Sequence, residues 1–190
     1  MRKLFFIPVL ALVLSSFTLL NNIWKNDPPH SQLGFTVTHL GINDVSGTFN
    51  DFEVIIDASK ADFSDAKFTL KAKTASIDTR VEARNKHLKS ADFFDAEKYP
   101  EFNFTSTSVK RTGKNKFKVT GNLTLHGVTK VVTLDAVYRG TVENPMSKKQ
   151  TAGFGFTGTI KRSDFQVGGN FPEAIISDVV HIKADGEFAQ

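Results

Sequence analysis

At 190 residues the chain has room for one well-buried domain and an export segment, and too little for two ordinary cores. Cysteine is absent, which excludes a disulfide framework, a thiol nucleophile, thiolate-ligated zinc and acyl attachment to an N-terminal Cys. The formal charge of +4 falls to about +2 without Arg2 and Lys3, and the remaining Lys and Arg are interleaved with acids, so nucleic acid is not an expected partner.

Residues 1–20 place Arg2 and Lys3 ahead of the apolar run 4–14, the order of a secretory signal peptide. Pro8, Ser15, Ser16 and Thr18 interrupt a stretch shorter than the roughly 20 apolar residues of a membrane span, which favours a cleavable signal over an anchor. No A-x-A pattern marks the cleavage site. Residues 21–29, with Trp24-Lys25-Asn26-Asp27-Pro28-Pro29, read as a polar lead-in because Pro donates nothing to a sheet. The domain is expected over 30–190.

Period-two alternation dominates from there. Leu33, Phe35, Val37 and His39 share one face of the first strand. The pattern recurs at Val45-Gly47-Phe49, Phe68-Leu70-Ala72, Phe102-Phe104 and Phe117-Val119-Gly121-Leu123-Leu125. It continues at Val132-Leu134-Ala136-Tyr138, Phe154-Phe156-Gly158-Ile160 and Val180-Ile182-Ala184, giving eight candidate strands. Turn signals at 41–44, 112–115, 126–127 and 143–145 favour up-and-down antiparallel order. The run 81–88 lacks alternation and holds good helix formers behind Asp78-Thr79, a candidate cap, so one short helix is expected near 80–90. A further helical turn is expected at 172–176.

Eight strands with one greasy face bury that face either as two packed sheets or as one sheet closed on itself, and closure alone removes both exposed edges. An eight-stranded barrel is just wide enough for packed side chains or one small ligand. Fifteen of the 18 Phe lie beyond residue 20, so the interior is greasy, but periodicity leaves open whether it is filled or hollow. Gly47, Gly121 and Gly158 on the apolar faces fit a bend in the sheet or a space within it equally well.

No catalytic or metal site is expected. The five His, at 30, 39, 87, 126 and 181, form no H-x-x-x-H pair. Asp78, Asp92 and Asp95 suit a helix start and a turn better than a glycosidase pair. Ser31, Ser46 and Ser76 lack a G-x-S-x-G elbow. His39 reads either as a satisfied core histidine or as a headgroup contact at a barrel mouth. Arg84 and His87 are neighbours on the helix surface, where either the pair meets a polar headgroup or Arg84 ties the helix to a loop carbonyl, Asp92 or Asp95.

The run His30-Ser31-x-x-x-Phe35-x-Val37-x-His39-x-Gly41 followed by Val45-Ser46-Gly47-Thr48-Phe49 resembles the opening of the YceI-like family of periplasmic lipid-binding proteins. Ser76-Ile77-Asp78-Thr79, Arg84-Asn85-Lys86-His87-Leu88 and Ser90-Ala91-Asp92-Phe93-Phe94-Asp95 with Lys98-Tyr99-Pro100 are similar to its central signature. The stretch 121–130, Gly121-Asn122-Leu123-Thr124-Leu125-His126-Gly127-Val128-Thr129-Lys130, is similar to its other long signature, and Arg162-Ser163-Asp164-Phe165 to its C-terminal one. Asn85 stands where the family usually carries Asp, and His126 where Asn is also common, so no carboxylate role beside Arg84 carries over.

The resemblance implies an all-β, eight-stranded antiparallel lipocalin-like barrel that holds a polyisoprenoid or other long-chain amphiphile in its lumen, without catalysis or cofactor. The expected tail contacts are Phe35, Val37, Phe49, Phe68 and Leu70 on the first strands. Phe102, Phe104, Leu123, Leu125, Phe154 and Phe156 complete them on the later ones. The headgroup is expected near His39, Arg84 or His87, with membrane contact only for lipid loading and a homodimer as a base-rate expectation. The alternative is a solid-core barrel that serves as a stress-response or protein-interaction module.

Overall fold

The computed structural model describes residues 23–190; the expected signal at 1–20 lies outside the described residues. Ten strands follow in chain order: β1 (Ile23–His39), β2 (Asn43–Phe49), β3 (Phe52–Asp57), β4 (Lys67–Lys73), β5 (Ile77–Asp78), β6 (Glu101–Gly113), β7 (Lys116–Leu125), β8 (Val128–Glu143), β9 (Gln150–Lys161) and β10 (Val179–Ala189). One helix, α1 (Glu82–Lys89), lies between β5 and β6.

β2 and β3 are two halves of one broken wall strand: residues 33–39 of β1 pair with β2, and residues 23–25 of β1 pair with β3. The two-residue β5 continues the course of β4 alongside β2. With those halves joined, the sheet has eight antiparallel strands in up-and-down order, and pairing of β10 with β1 closes it. Closure leaves no long free edge, which an isolated Phe-rich sheet could not tolerate in water. The β7–β8 hairpin turns at His126 (φ 51°) and Gly127 (φ 75°), both left-handed, as a two-residue turn of this handedness requires.

The sheet starts earlier than the expected His30. Trp24 is buried, and the Pro pair sits within β1 rather than ahead of it. Between Asn26 and Ser31 the register with β10 slips, so residues 27–30 bulge outward and Pro28 and Pro29 occupy positions that need no ladder donor. The bulge is closed by a 2.7 Å hydrogen bond between His30 Nδ1 and Asp27 Oδ2. It also changes the alternation phase: Trp24 and Asn26 face inward before it, Leu33 after it.

One end of the barrel is solid. The loop 58–66 folds across it and inserts Phe63, whose ring lies 5.3 Å from Trp24, 5.0 Å from Tyr138 and 5.0 Å from Phe154. Phe68 and Phe188 each meet Phe154 at 5.8 Å. Phe154 is fully buried at the centre of this plug. The inward glycines are neither empty space nor simple bends: a methyl at Gly47 would lie 2.5 Å from the Phe35 ring, and one at Gly121 would meet the Phe104 ring and the Thr105 carbonyl. Each is small because a neighbouring side chain lies over it.

Because Phe154 is enclosed by rings on every side, Phe154→Ala is expected to cost about 3–5 kcal/mol, the usual range for a fully packed aromatic. Urea denaturation at unchanged m-value measures it.

Candidate ligand-binding cavity

Beyond the plug the barrel is hollow. A cavity of about 620 Å³, within the ordinary range of small-molecule sites, runs from the plug to the end that carries α1. From Ser31 to His39 along β1 is a path of about 26 Å at about 3.3 Å per residue, shortened by strand tilt. The solid-core and hollow readings of the sequence therefore each describe one part of the same barrel.

Of the residues expected to contact a tail, Phe35, Val37, Phe49, Phe68 and Leu70 line the cavity, as do Phe102, Phe104, Leu123, Leu125 and Phe156. Phe154 does not: it shares a face with Phe156 but points into the plug, where the rings leave no lumen. Further lining comes from segments without alternation, chiefly Phe93, Phe94, Val167 and Phe171. Phe93 and Phe171 stack at 4.6 Å over the α1 end, while Phe49 meets Phe102 at 4.7 Å and Phe94 at 5.8 Å beneath them. These loop aromatics form a lid, and only their composition hinted at it.

The lid is anchored by Arg162, a side chain 8% exposed. Its Nη1 donates to the Val167 and Gly168 carbonyls at 3.2 and 2.6 Å. Nη2 donates to those of Phe171 and Ile176 at 2.6 and 3.1 Å, and Nε to that of Ser177 at 3.2 Å. One buried cation thus satisfies five carbonyls of a loop that meets a strand at a single bridge, Ile176 opposite His39. The loop docks on the end of β1 through Leu40 N–H to the Ile175 carbonyl and Ser177 N–H to the Thr38 carbonyl, both 2.9 Å. The expected helical turn at 172–176 is a hydrogen-bonded turn within this loop.

His39, Arg84 and His87 all stand at this end of the cavity. His39 is exposed at the strand terminus, so it is not a buried core histidine. Arg84 serves the chain: Nε donates to Thr79 Oγ1 at 2.8 Å and Nη2 to the Thr79 carbonyl at 2.7 Å. His87 Nε2 pairs with Asp92 Oδ2 at 3.0 Å, and its ring packs edge-on against Phe93 and Phe171. Asp78 and Thr79 do not cap α1; its N-cap is Val81, without a side-chain bond. Instead Asn85 reaches back, its Oδ1 accepting from Thr79 N–H and Oγ1 and its Nδ2 donating to Asp78 Oδ1 at 2.8 Å.

This explains why an amide serves at position 85, for Asp78 needs a donor there. The Arg80 N–H and then the Asn85 amide hold the Asp78 carboxyl below the ordinary carboxylate range.

Two other polar groups line the wall near the plug. Asn26 Nδ2 and Ser31 Oγ are buried without a partner among the described residues. An orphaned buried donor or hydroxyl costs about 1–3 kcal/mol. Outside the barrel, the bulge brings Asp27 and His30 beside Glu187 with donor atoms within 4.8 Å, an exposed group able to hold a divalent cation that no local sequence spacing could reveal.

Among the described residues, the serines that the sequence singled out outside the lumen bond within the chain. Ser76 Oγ donates to the Lys73 carbonyl at 2.7 Å, and Ser46 Oγ meets Thr36 Oγ1 at 2.9 Å.

Arg162→Gln withdraws donors from several carbonyls at once and is expected to lose about 3 kcal/mol or more, with hydrogen-exchange protection failing first over 163–178. For Asp78 the folded value is depressed, so its stabilising effect is complete above the ordinary value of 3.8 and is lost as pH falls through the lower folded value. Asn85→Asp places a second carboxylate against it, and the Asp78 titration followed by carboxyl NMR is expected to move upward.

A sequence profile described as the YceI-like domain matches residues 24–188. A UPF0312 protein of Photorhabdus laumondii is 43% identical over 157 residues, which cover 82% of this chain and 81% of that protein. A UPF0312 protein of Staphylococcus aureus is 37% identical over 162 residues, 85% of this chain and 91% of its own. Among solved structures, BcnA of Burkholderia cenocepacia superposes with a TM-score of 0.75 at 27% identity, covering 85% of this chain and 98% of that one. The Campylobacter jejuni YCEI protein gives 0.73 at 34% identity, covering 80% and 89%. A polyisoprenoid binding domain from Saccharophagus degradans shares the fold, with a TM-score of 0.65 at 16% identity over 88% and 98% of the two chains. Closed barrel, lidded cavity and a profile match over nearly all the described residues agree: the chain belongs to the YceI-like family.

Proposed function

We propose that the protein is exported to the periplasm and there carries a long-chain apolar lipid, of the polyisoprenoid or similar amphiphilic kind, inside the barrel without transforming it. The observation that carries this reading is the cavity of about 620 Å³ walled by Phe, Leu and Val between a solid plug and a lid. A flexible apolar chain gains about 0.8 kcal/mol per buried methylene in such a lumen and needs few oriented partners. The polyisoprenoid-binding description of the Saccharophagus degradans neighbour points to the same ligand class.

Loading at the α1 end suits the surface there. Leu40 and Ile42 on the β1–β2 turn are 53% and 85% exposed, and Ile175, hydrogen-bonded to Leu40, is 40% exposed and also lines the cavity. Apolar side chains around an entrance fit transient contact with a bilayer from which a lipid is drawn.

Native mass spectrometry of protein purified without detergent is expected to show a bound apolar mass that solvent extraction removes. An empty barrel that also takes up no isoprenoid alcohol would overturn the reading. Leu70→Trp, which fills the lumen with an apolar group, is expected to leave folding intact and weaken uptake by about tenfold or more. Ile42→Glu is expected to slow transfer from vesicles without changing equilibrium capacity.

A further inference from the structure

The two unpartnered atoms near the plug stand in fixed positions. Asn26 is 9% exposed, and its amide is locked because Oδ1 accepts the Val54 N–H at 2.7 Å. Its NH2 is therefore held toward the lumen as a donor. Ser31 Oγ lies against Gly186, where a methyl would sit 2.9 Å from it, so the glycine keeps room for the hydroxyl. Asn26 is opposite Phe188 and Ser31 opposite Gly186, two positions apart on the inward face of β10, which places both groups at one level beside the plug.

The basic side chains that line the cavity, His39, Arg84, His87 and Arg162, are all at the other end. A carboxylate or phosphate at the plug would be buried with no counter-charge. A hydroxyl or carbonyl oxygen has the right chemistry: it accepts from the Asn26 amide and exchanges a bond with Ser31.

We infer that Asn26 and Ser31 form a polar subsite at the closed end of the barrel that takes an uncharged oxygen of the ligand, so that the lipid enters with its oxygen-bearing end first. This rests on the carrier reading and narrows it to neutral amphiphiles, as opposed to pure hydrocarbons or lipids whose polar group stays at the mouth.

Methyl palmitate and hexadecane, similar in chain length and different in one ester, test it on the whole folded protein. Wild type is expected to bind the ester about tenfold more tightly by competition with a fluorescent apolar probe. The Asn26 side-chain amide resonance is expected to move with the ester and not with the hydrocarbon. Ser31→Ala removes one partner, and Asn26→Asp keeps the acceptor for Val54 N–H while replacing the lumen donor. Each is expected to lose most of the preference, and an unchanged far-ultraviolet circular dichroism spectrum shows that the variant is folded. If both probes move the amide alike, as with a water held between the two residues, or if the preference survives both changes, the subsite is overturned and the carrier stands. If neither probe binds wild type, the carrier reading falls with it.

Discussion

Everything in this molecule depends on the closure of one sheet through β1. That strand pairs with β10 on one side and with β2 and β3 on the other, so removing it would open the barrel and expose both edges. Closure also fixes the width between opposite walls. Side chains cannot draw the walls together to eliminate free space, as they can in an open sandwich, so the interior is filled or hollow according to side-chain size and the loops that enter it. Phe63 and the rings around Phe154 fill one end; among the described residues nothing comparable enters between the plug and the lid.

This is why the strands were legible in the sequence and the cavity was not. Alternation says which residues face inward, and Phe35, Val37, Leu70, Phe104 and Leu123 do so. It says nothing about what stands opposite. Phe154 and Phe156 are the same residue type, two apart on one face, and differ only in whether the loop carrying Phe63 reaches them. Ser31 continues the alternation of Leu33 and could have been placed in the lumen by extending the pattern two residues. Asn26 could not, because the bulge at 27–30 changes the phase and the Pro pair reads as the end of structure rather than a detour within it.

The polar residues at the α1 end are a different case: helix spacing left Arg84 either a headgroup or a loop carbonyl, Asp92 or Asp95, and within the chain it meets the Thr79 carbonyl. Arg84 and Asn85 hold Thr79 and Asp78, and His87 holds Asp92, so the family-like signature of the central segment serves largely to build the entrance. Arg162 does the same for the lid from the far side. Family membership rests on these signatures and on the shared barrel, and much of what the signatures encode is the scaffold around the opening.

The plug has a consequence for traffic. A tube sealed at one end works as a last-in, first-out store: whatever end of a lipid leads on entry must trail on departure, because the chain has no room to turn around. On the proposed carrier reading, a lipid handed on would therefore present the same terminus to every recipient, and the polarity of delivery would be set by the Phe63 loop, at the opposite pole of the barrel from the proposed site of exchange.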